Sequence, residues 1–177
     1  MMVTANGYFE GENHDISWHN ARSETFQQFA AENLANTDTL VFGRRTYDLM
    51  AAYWPGEDGI QDNLSIAKIM NESHKVAFTH TPLTEDWQNV ETSDNVEEKM
   101  TSLKNASGKD IAVLGSSNLC VSLLRNGLID ELRIMINPVT ITAGTPLFEG
   151  IETNYDFTLK NTRTFDDGNV LLTYSVS

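Results

Sequence analysis

Apolar positions along the chain follow two rhythms. Thr39–Phe42, Lys75–Thr79 and Ile111–Leu114 are short runs of apolar or β-branched residues, the pattern of strands buried on both faces. Between them apolar residues recur at helical spacing. Phe26, Phe29, Ala30 and Leu34 make one face of a helix that starts at Ser23, a suitable N-cap. Val96, Met100 and Leu103 make another within Asp94–Ala106, where Asp94 and Glu97 have capping-box spacing. Leu119, Cys120, Leu123 and Leu124 form a third, stopped by Gly127. A short strand in Met1–Phe9 runs into a turn at Asn6-Gly7, and Gly11–Asn20 is irregular, with Trp18 as a packing anchor. A helix follows from Arg44, a loop covers Gly56–Asn63, and a short helix spans Ser65–Asn71. Asn89–Thr92 is a weaker strand, Glu131–Ile136 a firmer one, and Thr142–Pro146 reads as a loop. Phe157–Thr164 and Asn169–Ser175 alternate around Asp166-Asp167-Gly168, a hairpin. Strands alternating with helices up to about Ile136 predict parallel βαβ units in a single α/β domain over residues 1–177. Helices then cover both faces of a mainly parallel sheet that ends in an antiparallel hairpin.

Charge narrows the function classes. Of the 177 residues, 12 are Lys or Arg and 25 are Asp or Glu, a net charge of −13. Such a surface repels nucleic acid. No run reaches the roughly 18 apolar residues of a membrane span, and no basic-then-apolar leader opens the chain. The lone Cys120 rules out an internal disulfide and agrees with a reducing, cytoplasmic location. Against this acidic background Arg44 and Arg45 stand side by side, directly after the Thr39–Phe42 run and Gly43.

That stretch reads as strand, glycine turn and first turn of a helix. A helix N-terminus carries unpaired N–H groups and partial positive charge, so it attracts anions. Two guanidinium groups and the Thr46 hydroxyl add charge-assisted donors for phosphate. The bland reading is that the arginines are solvated and the glycine serves the turn. Other strands also end in small or polar groups: Thr4-Ala5-Asn6-Gly7, Thr79-His80-Thr81, and Gly115-Ser116-Ser117-Asn118. In an open α/β sheet ligands bind at such carboxyl ends, and two helix N-termini on one edge suit the two ends of a dinucleotide. Neither G-x-G-x-x-G nor a P-loop is present. Tyr47, Tyr53 and Trp54 are placed either to line a pocket for a planar ring or to pack their helix on the sheet. His14 and His19 lack a third metal ligand at recognisable spacing, so no metal site is expected. Cys120 reads as a core residue, and the acidic pairs Glu97-Glu98 and Asp166-Asp167 as solvated surface.

The segments Asn6–Gly11, Leu40–Tyr47 with Tyr53-Trp54-Pro55, Ala112–Ser116, Gly127–Leu132 leading to Pro138, and Pro146–Gly150 resemble, in order, those of the dihydrofolate reductase-like superfamily. They are most similar to bacterial proteins related to the C-terminal reductase domain of bifunctional riboflavin-biosynthesis deaminase/reductases. The resemblance implies an eight-stranded, mainly parallel sheet and NADPH as cofactor. It implies that Gly43, Arg44, Arg45 and Thr46 hold the adenosine 2′-phosphate and pyrophosphate. Thr79, His80 and Thr81 would form the adenine-side loop. Gly115, Ser116, Ser117 and Asn118 would form a second pyrophosphate loop, and Thr4 and Ala5 would lie beside the nicotinamide. Asn6, Glu24, Tyr47 and Trp54 are the candidate substrate contacts. A homodimer is also implied, with Leu132–Pro138 as its contact.

The chain departs from the family pattern in three places. Asn6 stands where the family usually carries Asp, and fewer residues than usual precede Val3. Gly115-Ser116 stands for the common Gly-Gly. No carboxylate matches the one that contacts the pterin in dihydrofolate reductases, although Glu24 and Glu32 lie on the first helix. The expected function is hydride transfer from NADPH to a small heterocycle, aminouracil-like or pterin-like. The alternatives are a degenerate relative that binds nucleotide without turnover and a purely structural dimer module.

Overall fold

In the computed structural model, which describes residues 1–176, the apolar run at Thr37–Gly43 is the strand β3, paired in parallel on both edges. Its neighbours are β4 (His74–Phe78) and β6 (Asp110–Val113), and β5 (Val90–Ser93) adds to β4, giving the parallel order β5-β4-β3-β6. Leu40, Val41 and Phe42 are fully inaccessible because helices cover both faces. One face packs Leu40, Phe42 and Ala77 against α1 (Glu24–Ala35), α2 (Arg44–Tyr53) and α4 (Leu64–Glu72). The other packs Val41, Val76 and Phe78 against α5 (Val96–Asn105) and α6 (Ser117–Arg125). The period-two alternation of a strand assigns those residues to opposite faces.

A second four-stranded sheet has the order β1-β7-β10-β9. Here β1 (Met2–Thr4) runs parallel to β7 (Glu131–Asn137), and β10 (Val170–Val176) pairs antiparallel with β7 and with β9 (Phe157–Thr164). The expected hairpin is β9–β10. The expected continuous eight-stranded sheet is instead two four-stranded sheets, with no ladder between β6 and β1 among the described residues. Those two strands have only four and three residues, and side chains of Met1, Ile111, Ala112 and Val113 line a cavity there in place of backbone bonds.

Three local expectations change. The first strand is broken at Asn6-Gly7, and the chain resumes as β2 (Tyr8–Gly11), paired antiparallel with β8 (Gly144–Pro146) inside the expected 142–146 loop. The 56–63 loop contains a helix, α3 (Glu57–Asp62), seated so closely that a Cβ at Gly59 would lie 2.6 Å from the Tyr53 carbonyl oxygen. The α5 cap moves by one residue: Asn95 accepts from the Glu98 N–H at 3.1 Å and its amide donates to Glu98 Oε2 at 3.0 Å. The Leu132–Pro138 segment expected at a dimer contact overlaps β7, in which Leu132, Met135 and Asn137 are buried and Arg133, Ile134 and Ile136 half-buried. Among the described residues the free edges of that sheet are β1 and β9. No helix among the described residues is long and apolar enough to cross a membrane.

Candidate active site

The carboxyl ends of β3 and β6 are tied together: Leu114 N–H donates to Val41 O at 3.0 Å and Gly43 N–H to Gly115 O at 2.7 Å. Because each strand feeds directly into a helix, the N-termini of α2 and α6 emerge side by side at one sheet edge. The approach is close. A Cβ on Gly43 would sit 2.8 Å from Ser116 Oγ, and one on Gly115, whose φ is +131°, would sit 3.1 Å from Thr46 Oγ1.

The two helix starts share a second property. The α1, α4 and α5 N-termini are capped by the side chains of Ser23, Asn63 and Asn95. Those of α2, α3 and α6 have no side-chain cap, and of these three α2 and α6 border one cavity. It has a volume of about 700 Å³, a typical size for a small-molecule site. Arg44, Arg45, Thr46, Ser116, Ser117 and Asn118 all line it. Arg44 Nε is buried without a hydrogen-bond partner, and its Nη2 lies 3.5 Å from Asp48 Oδ2. The rest of the guanidinium is part-exposed at the cavity, where it can meet an anion.

The cavity's outer wall comes from β2 and β8. Glu10 Oε1 accepts from Thr145 Oγ1 at 3.0 Å and pairs with His14 Nδ1 at 2.8 Å. With that proton given to Glu10, the Arg45 Nη1 at 3.5 Å from the same nitrogen lies alongside and remains available as a donor. His19 also faces the cavity, with its ring edge-on to Trp18 at 4.4 Å and its Nε2 buried without a partner. Its pKa is lowered to about 4, mainly by burial and secondarily by the Met1 ammonium, with Asp15 opposing both. The folded pKa lies below the ordinary value of 6.5, so between about pH 6.5 and 4 the unfolded chain takes up a proton that the folded chain refuses. Stability is expected to fall as pH drops through that window. Thermal melts of His19→Gln across it should show a shallower loss than wild type.

Other sequence candidates fall outside the cavity lining. Thr79, His80 and Thr81 follow the rung that pairs Gly43 with Phe78, so they share the sheet edge, but they close on themselves through Thr79 Oγ1 and the Thr81 backbone. Thr4 is buried, donating to Asn6 Oδ1 and accepting from Tyr8 N–H, both at 2.9 Å. Ala5 donates to Val139 O, and the Asn6 amide donates to Ile141 O at 2.8 Å. Glu24 is exposed at the start of α1. Tyr47, one of the candidate substrate contacts, packs in the core between Phe42 and Trp87 with its hydroxyl on Glu85 O at 3.2 Å. Trp54 does line the cavity. Tyr47→Phe is therefore expected to cost about 0.5–1.5 kcal/mol, the net value of one hydrogen bond, with ligand titrations unchanged. Denaturant melts and a cofactor titration check both halves.

Sequence reasoning missed several residues that face the cavity. Phe26, Phe29 and Ala30 carried a signal, the apolar face of α1, but spacing does not separate a face against a core from a face against a cavity. His14, His19 and Thr145 belong to no motif, and Glu10 lies in the Asn6–Gly11 segment without a role assigned to it. Among the described residues no group of three or more His, Cys, Asp or Glu side chains is arranged to hold a metal ion.

The sequence profile of the RibD C-terminal domain matches residues 1–171. The chain belongs to the RibD C-terminal domain family. It is 31% identical over 175 residues to the uncharacterized protein YyaP of Bacillus subtilis (strain 168), covering 98% of this chain and 91% of that protein. The fold is similar to that of a putative riboflavin biosynthesis protein from Shewanella sp. PV-4, with a TM-score of 0.72, 18% identity, and coverage of 100% of this chain and 96% of the other. It is also similar to a diaminohydroxyphosphoribosylaminopyrimidine deaminase/5-amino-6-(5-phosphoribosylamino)uracil reductase from Thermotoga maritima, with a TM-score of 0.70 and 16% identity. This chain covers 55% of that longer protein and is itself covered over 99%.

Proposed function

We propose that this RibD C-terminal family member is an NADPH-dependent reductase of a small unsaturated heterocycle, the class that includes aminouracils and pterins. The observation that carries the reading is the pair of uncapped helix N-termini, α2 and α6, opening beside Arg44 and Arg45 on one cavity. The residues fit the cofactor. Two helix starts match a pyrophosphate, and a guanidinium beside them matches a 2′-phosphate. The part-exposed Arg44 guanidinium supplies a positive charge for the anion. When bound, the reduced nicotinamide would supply two electrons and one proton to an unsaturated bond of the substrate, the second proton coming from water. The protein's part is orientation. Residues 44–46 and 116–118 anchor phosphates, while the apolar wall of α1 and the far end of α2 exclude water and hold a flat ring.

The test is an NADPH fluorescence titration, followed by oxidation assays with aminouracils, pteridines and quinones. Saturable binding with turnover of at least one class is expected, and no binding at millimolar NADPH contradicts the reading. A second reading, nucleotide binding without turnover, is favoured by one observation: Asn6, at a position usually acidic in the family the chain resembles, is tied to Thr4 and Ile141. Saturable NADPH binding with no oxidation across the panel would select it. The same proposal includes a cytoplasmic homodimer, supported by the free β9 edge, where Leu159 is exposed. Sedimentation at the mass of one chain would contradict the dimer.

A further inference from the structure

The cavity is chemically two-sided. The cofactor phosphates are proposed to lie at the end where α2 and α6 begin. The rest is walled by Phe26, Phe29 and Ala30 of α1, Met50 of α2 and its C-cap Trp54, and Met135 of the second sheet. The cations that line the cavity can be counted. Arg44 and Arg45 belong to the α2 N-terminus. Arg133 is engaged by Glu131 Oε1 at 2.5 Å and by the Asn33 amide oxygen. His14 gives its proton to Glu10. Carboxylates of Glu10 and Glu149 also line the cavity. The Met1 ammonium donates to Arg133 O at 2.6 Å. Away from the α2 N-terminus, no unpaired cation among the described residues lines the cavity for a phosphate or carboxylate on the substrate, and burying such a charge unpaired is costly. Within the lining one polar atom is buried and unsatisfied besides Arg44 Nε, namely His19 Nε2. The imidazole is neutral at physiological pH, because burial and the Met1 ammonium disfavour its charged form.

Resting on the reductase reading, we propose that the apolar part of the cavity binds an uncharged, planar carbonyl-bearing ring without phosphate, and that the His19 imidazole, which lines the cavity, makes the polar contact to its carbonyl edge. A neutral imidazole donates to such an oxygen without bringing charge into an apolar site. The ring itself gains from burial against Phe26, Phe29 and Trp54. This sets the chain's substrate apart from phosphoribosyl compounds, which would carry a dianion onto Phe and Met side chains. His19 is a specificity residue in this account and takes no part in electron transfer.

The experiment compares 1,4-naphthoquinone with 1,4-naphthoquinone-2-sulfonate, the same ring with one fixed charge. Binding is read by quenching of tryptophan emission, without cofactor and again with saturating NADP⁺. The neutral quinone is expected to bind at least about tenfold more tightly than the sulfonate, the scale of one uncompensated buried polar group. His19→Ala is expected to weaken the neutral quinone about 3- to 30-fold, and His19→Gln to recover part of that, since glutamine also offers a neutral N–H. Equal or tighter binding of the sulfonate overturns the proposal, as does quinone affinity unchanged in both His19 variants that melt like wild type. A failed NADPH titration sinks the reductase reading alone, because the cofactor-free quinone arm still reports on the ring site.

Discussion

Replacing Arg44 with alanine is expected to raise the Kd for NADPH about 10- to 100-fold, the equivalent of one charge-assisted hydrogen bond to a phosphate. The side chain is half-buried at the first position of α2, where its charge adds to the helix N-terminus. In the free protein Asp48 partly neutralises it at 3.5 Å. Removing the guanidinium therefore also leaves a carboxylate one helical turn from the proposed phosphate. Asp48→Asn should strengthen NADPH binding modestly by the same logic, and that control separates a lost contact from a damaged helix. Parallel NADH titrations assign the contact. If Arg44 reads the 2′-phosphate, NADH affinity changes little in Arg44→Ala. If it reads the pyrophosphate, both cofactors lose alike. Fluorescence titration of the two variants against wild type measures all three outcomes.

Gly144→Ala is expected to destabilise the protein by about 2–5 kcal/mol, the sum of backbone strain and overpacking. Gly144 has φ of +150°, and a Cβ there would lie 2.0 Å from Glu10 O and 2.8 Å from Gly11 Cα. Both atoms are backbone of the paired strand, so β2 and β8 must separate. That ribbon carries Phe9, Glu10 and Thr145 to the cavity, and the Glu10–Thr145 and Glu10–His14 contacts go with it. The melting temperature should fall by roughly 5–15 °C for a chain of this size, and cofactor binding should weaken in the fraction that remains folded. Gly7→Ala is the control: its φ is +86°, but nothing lies within 4 Å of the added Cβ, so only strain of about 1 kcal/mol applies. Thermal melts of the pair distinguish a clash from a conformational preference.

How much of this was readable before the fold was known differs by element. β3 and the helix after it were plain, because a strand buried on both faces has to be continuously apolar and Gly43-Arg44-Arg45 punctuates it sharply. The second loop, Gly115–Asn118, was equally legible as a strand end running into a helix. What sequence could not state is that Gly43 and Gly115 bond to each other, since that contact joins residues 72 positions apart. β8 was hidden because Gly144-Thr145-Pro146 has poor strand character and becomes a strand only by pairing with β2. The α3 segment was hidden by Gly56 before it, Gly59 within it and its polar composition, which favour a loop until Gly59 packs on Tyr53. Tyr47 and Trp54 show the limit of periodicity. Tyr47 lies in one apolar helix and Trp54 is its C-cap, yet Tyr47 is enclosed by the core and Trp54 borders the cavity. His19 gave no local sign at all, because its unpaired Nε2 is a property of the assembled walls around it.

The central claim is that the uncapped starts of α2 and α6 are the two halves of one dinucleotide site. A crystal grown with NADPH tests it most directly. The expected density places cofactor phosphates within hydrogen-bond reach of the backbone N–H groups of residues 44–46 and 116–118, with Arg44 or Arg45 on the 2′-phosphate. Cofactor density elsewhere, or phosphates touching neither helix start, would contradict the account.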